Sequence, residues 1–157
     1  MDGKVKRVYV ETSVVSGMFD KNDHPEKAKP FWDAVFEGKI RVVLSSVLHD
    51  ELEKSPDNVR EFYRRIPDSQ FERIVSTPES DTLAERYVKA GILTSNHFTD
   101  CEHIALATIA NVDVLVSWNT KHIVNRHRIR RFNDVSIGFG CDEIKILVPN
   151  DLTQRGE

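Results

Sequence analysis

The run Arg7-Val8-Tyr9-Val10, followed at once by Glu11-Thr12-Ser13, decides the fold. Its β-branched and aromatic residues form a short apolar stretch that reads as a buried strand. Residues 12–19 then read as helix. A carboxylate at position 11 would cost several kcal/mol if sealed inside a sheet without a partner. It belongs instead at a strand end that faces a cleft.

Outward from this unit the chain repeats the same alternation. Pro25 opens a second helix, in which Ala28, Phe31, Trp32, Val35 and Phe36 share a face, and Gly38 ends it. Ile40 to Leu44 is the next strand. Ser45 or Ser46 caps a helix carrying Val47, Leu48, Glu51 and Leu52, which stops before Pro56. A helix over 58–66, a strand over 72–76 and a helix from Pro78 to Gly91 follow. Thr99 and Glu102 are spaced as a capping box at the head of a helix over 101–110. Val112 to Ser117 is a further strand, a basic helix starts near Lys121, and Ile144 to Val148 is the last strand. This order predicts right-handed crossovers and a mostly parallel sheet covered on both faces. The expected architecture is a three-layer α/β/α sandwich, with residues 1–157 forming one domain.

Composition removes several function classes. Lys and Arg number 22 against 25 Asp and Glu, so overall charge gives no argument for nucleic acid, and any such partner needs a local patch. The best patch is Lys121, Arg126, Arg128, Arg130 and Arg131, in a stretch without acids; a solvated helix face or a contact for an acidic protein segment explains it equally well. No apolar run approaches the roughly 20 residues of a membrane helix. Met1 to Arg7 lacks the apolar core of a secretory signal. Cys101 and Cys141 stand too far apart for a disulfide framework or a metal knuckle, which points to buried thiols in a reducing cytoplasm. The chain has no dinucleotide fingerprint, phosphate loop or nucleophile elbow, and its histidines show no zinc-site spacing.

In parallel sheets, chemistry gathers beyond the carboxyl ends of the strands. Glu11 and Asn119 follow strands, Asp100 stands in a first helical turn, and Glu51 lies on the helix after the second strand. Each has an ordinary explanation: a cap for Glu11, a first-turn charge for Asp100, a solvated face for Glu51, a turn residue for Asn119. Their convergence on one sheet edge argues for more. Clustered carboxylates suit Mg2+ or Mn2+, hard ions that take oxygen ligands. His103 shares a helix face with Asp100, where it either orients that carboxylate or packs in the core; His122 stands in the same relation to Asn119.

These residues carry a family resemblance. Val8 to Ser16 resembles the opening of PIN domains, an acid at a strand end followed by Thr and Ser. Leu48-His49-Asp50-Glu51-Leu52 is similar to the second PIN motif, and Thr99-Asp100-Cys101-Glu102-His103-Ile104-Ala105-Leu106-Ala107 to the third. Val114 to Asn119 with Lys121-His122-Ile123 resembles the fourth, and Ile146-Leu147-Val148-Pro149 the closing strand. The resemblance implies a metal-dependent ribonuclease leaving 5′-phosphate and 3′-hydroxyl ends, often the VapC-like toxin of a toxin–antitoxin pair. It implies Mg2+ or Mn2+ held by Glu11, Glu51 and Asp100, with Asn119 in the fourth place. It also implies Ser13 as a polar contact beside the metal or phosphate, RNA as substrate, a small antitoxin as partner and a homodimer. Two positions depart from the pattern. Glu11 stands where aspartate is usual, one methylene longer, and neutral Asn119 stands where an acid is usual, which favours one ion over two.

Overall fold

The computed structural model describes residues 5–154; Met1 to Lys4, within the segment read for a secretory signal, lie outside them. Five strands form one parallel sheet: β1 (Lys6–Val10), β2 (Ile40–Ser45), β3 (Phe71–Ile74), β4 (Val114–Val116) and β5 (Lys145–Leu147). Their spatial order is β3-β2-β1-β4-β5. The chain thus builds one half of the sheet outward from β1, then returns to β1's other side to build the second half. Register pairs Val8 with Val42 on one side and with Val114 on the other.

The helices are α1 (Thr12–Ser16), α2 (His24–Phe36), α3 (Ser46–Glu53), α4 (Asp57–Arg64), α5 (Pro78–Lys89), α6 (Phe98–Ile109), α7 (Arg126–Gly138) and α8 (Pro149–Gln154). Side-chain alternation along β1 divides the core between the two faces. Val8 and Val10 join Phe31, Trp32, Leu48 and Leu52 in one apolar cluster, while Tyr9 joins Leu83, Tyr87, Ile104, Leu115 and Phe132 in the other. The expected α/β/α layering is observed, with the sheet parallel throughout. No described helix is long and apolar enough to cross a membrane.

Local chemistry explains most boundaries. Ser45 caps α3, its hydroxyl accepting the Leu48 N–H at 3.1 Å. Gly91, at φ +78°, ends α5: its own N–H reaches the Val88 carbonyl and that of Ile92 reaches Tyr87, a Schellman closure that requires a left-handed residue. Helix α1 is shorter than expected because a 3-10 turn takes over at Gly17–Phe19.

Two expectations are corrected. Thr99 and Glu102 form no capping box, because a 3-10 turn at Ser95–His97 starts α6 at Phe98 and carries Thr99 inside the helix. The capping box lies instead at Thr77 and Ser80, heading α5. The basic helix does not begin near Lys121; residues 121–125 are turn, and Asn125 caps α7, its side chain accepting the Arg128 N–H.

Candidate active site

Beyond the carboxyl ends of β1 and β4, where the strand order reverses, the polar residues of the protein converge. Glu11 continues β1, and its N–H bonds to the Val116 carbonyl of β4 at 3.1 Å. Glu11 as a whole is 6% exposed, and one carboxylate oxygen accepts the hydroxyls of Ser13 (2.6 Å) and Ser117 (2.5 Å). Ser13 also accepts the Trp118 N–H, and Ser117 that of Asn119, so the acid and both serines tie the two strand ends together. Gly17 lets the chain pass close beside this knot: a Cβ there would lie 3.0 Å from the Trp118 ring, which stacks on His24 at 4.2 Å.

Glu51 approaches from α3. One of its oxygens accepts the Thr12 hydroxyl and faces His103 Nε2 at 2.7 Å. His103 has no solvent exposure, and its Nδ1 lies 2.6 Å from the Tyr9 hydroxyl, which in turn meets Ser45 at 2.8 Å. The result is a buried relay from the α3 cap to the Glu51 carboxylate. Burial opposes charge on His103, but the Glu51 hydrogen bond and the fields of Glu11, Glu51 and Asp100 prevail and raise its pKa. Burial likewise opposes ionisation of Glu51; the His103 bond and charge, with Thr12, outweigh it and lower its pKa. Burial keeps the Tyr9 phenol neutral, well above its ordinary range.

Of the two readings of His103, packing in the core is the one observed, and its ring meets Glu51 and not Asp100. Asp100 faces His122 instead, with Nδ1 at 3.2 Å from its carboxylate. Asn119 uses its side-chain carbonyl to accept the His122 N–H at 3.0 Å, and its backbone carbonyl to close the following turn on Ile123 and Val124. Among the described residues, one oxygen on each of Glu11, Glu51 and Asp100 has no protein hydrogen-bond donor. Free carboxylate oxygens are the kind of donor that a hard divalent ion and its waters take. The three carboxylates do not meet as a single group of ligand atoms within 4.8 Å; His97, Asp100 and His122 do.

The basic patch divides. Arg128 bonds the carbonyls of Ile92 and Lys121, and Arg131 those of Ala90 and Gly91, so both staple α7 to the end of α5. Lys121, Arg126 and Arg130 are exposed. Sequence reading missed Tyr9, Ser117 and His97. Tyr9 and Ser117 look like strand residues, and His97 like part of a loop.

Comparison with known proteins is sparse. No protein-family model matches the chain, and no curated protein does. Among solved structures, it is similar to a chain of VapBC2 from Rickettsia felis, determined bound to a DNA fragment from their promoter, at 14% identity and a TM-score of 0.56. The match covers 89% of this chain and 96% of that one, and at this identity it establishes a shared fold and nothing finer.

Proposed function

We propose that this chain is a single-domain, divalent-metal-dependent ribonuclease of the PIN type, with Glu11, Glu51 and Asp100 holding Mg2+ or Mn2+. The observation that carries the reading is the pair of buried hydrogen-bond clusters at the sheet's carboxyl end, Glu11 held by Ser13 and Ser117 and Glu51 held by Thr12 and His103. An ion there would activate water and offset charge developing on the phosphate. The protein's own part is to orient the carboxylates: Ser13 and Ser117 aim Glu11, while Thr12 and His103 aim Glu51. Asn119 supports the site by shaping the turn that presents His122, and its carbonyl retains a lone pair for the fourth place. Lys121, Arg126 and Arg130 are the groups for phosphates of single-stranded RNA. The fold shared with a chain of a VapBC2 complex supports a toxin role with a small antitoxin partner. A cytoplasmic homodimer belongs to the same proposal.

The test is cleavage of single-stranded RNA with and without Mn2+, beside Asp100→Asn. Metal-dependent cutting by the parent alone is expected. Equal activity in clean preparations of both proteins overturns the reading. A second reading, a non-catalytic module that binds RNA or a protein, is favoured by the engagement of the Asn119 carbonyl in a turn. It predicts RNA binding that persists in EDTA.

A further inference from the structure

Outside the Glu11 and Glu51 clusters, His97, Asp100 and His122 bring one ligand atom each within 4.8 Å of one another. We propose that they form a separate site for a first-row transition ion such as Mn2+, Fe2+, Co2+ or Zn2+, with two imidazoles and one carboxylate as ligands. The geometry is close to what such an ion needs. Ligand atoms about 2.1 Å from a metal stand about 3.0 Å apart in an octahedron and about 3.4 Å apart in a tetrahedron. His122 Nδ1 and Asp100 Oδ2 are already 3.2 Å apart. The two imidazole rings are tilted 48° to one another with centroids 4.0 Å apart, and a His97 nitrogen lies within 4.8 Å of the other two donors.

The backbone holds the set in place. His97 closes a 3-10 turn through its N–H to the Thr94 carbonyl at 2.9 Å, Asp100 follows in the first turn of α6, and the Asn119 side chain pins His122. All three side chains are half-buried, shielded from bulk water yet reachable. A cavity of about 420 Å³, walled by Thr94, His97, His122 and Arg128 among others, gives solvent access to both imidazoles. Imidazole nitrogens favour transition ions, whereas Mg2+ keeps to oxygen, so the site discriminates by chemistry. It shares Asp100 with the proposed ribonuclease site but stands whether or not RNA is cut.

The experiment is a titration of the metal-free full chain with Co2+, read by its visible absorption. The parent should develop a saturable band that excess Mg2+ does not abolish. His97→Ala and His122→Ala should each weaken binding by at least about tenfold, the scale on which even supporting groups of metal sites act. Melting of the metal-free variants establishes that they are folded. As a measurement that needs no variant, Zn2+ should shift the ring resonances of His97 and His122 in the parent. Absence of the band from folded parent, equal Co2+ affinity in all three proteins, or unmoved ring resonances overturns the site and leaves His122 a hydrogen-bond partner of Asp100. Glu11→Gln separates the two readings: it should spare the histidine-dependent band while removing RNA cleavage.

Discussion

Single side chains set the chemistry of the site, and His103 does so with the most at stake. It is fully buried between Tyr9 and Glu51, so truncation removes one of the two hydrogen bonds that the Tyr9 hydroxyl and the Glu51 oxygen each make. His103→Ala should lower stability by about 2 kcal/mol, as measured by urea denaturation, because it removes two buried hydrogen bonds worth about 1 kcal/mol each. A loss below about 0.5 kcal/mol would mean that the relay carries no energy. Cys101 permits a second test. Burial first, then the charges of Asp100 and Glu102, push its thiol up to about 12, leaving very little thiolate near neutrality. Iodoacetamide at pH 8 should therefore leave Cys101 unmodified in the native protein and alkylate it in urea, with mass spectrometry locating the label.

Elements depend on their ends, and here sequence patterns were an uneven guide. Thr99 and Glu102 have the spacing of a capping box, yet packing and the turn at Ser95–His97 start the helix earlier. Thr77 and Ser80 make the reciprocal bonds in fact, with serine in the place where the pattern expects Glu or Gln. Thr77→Ala should cost about 1 kcal/mol by chemical denaturation, while Thr99→Ala should cost less, since its hydroxyl caps nothing. The β3 strand was legible only approximately. It lies at the sheet edge and is only partly buried, so its hydrophobic signal is weak.

Across the whole molecule, the sheet is laced by Arg7, which reaches over β2 from β1 to Glu72 on β3 and also bonds the carbonyls of Ala110 and Asn111. The Arg7 hydrogen bond holds the Glu72 carboxyl below its ordinary 4.5; burial opposes this, and the charges of Arg7 and Arg41 assist. A depressed carboxyl pKa contributes stability that is present above the unfolded value and lost as pH falls through the folded one. The stability advantage of the parent over Glu72→Gln should therefore be full at neutral pH and shrink below about pH 4.5. Denaturation curves across that range check it, and a difference constant with pH would refute the role of the pair.

What the sequence by itself determined was the alternation of strands and helices, and with it the parallel α/β sheet. Apolar runs, Ser45, Pro25 and Gly91 act within a few residues of themselves, so their consequences are local and readable. It also placed Glu11 at the end of a strand, because a lone carboxylate cannot sit inside a sheet. Tertiary structure alone decided the partners. His103 meets Glu51 across 52 positions, Tyr9 meets His103 across 94, and Asp100 meets His122 across 22. Spacing along one helix allowed His103 either to face Asp100 or to pack in the core; the ring is buried and meets Glu51 of α3. Which carboxylate a histidine serves depends on how α3 and α6 pack around β1, and no periodicity within either helix encodes that distance.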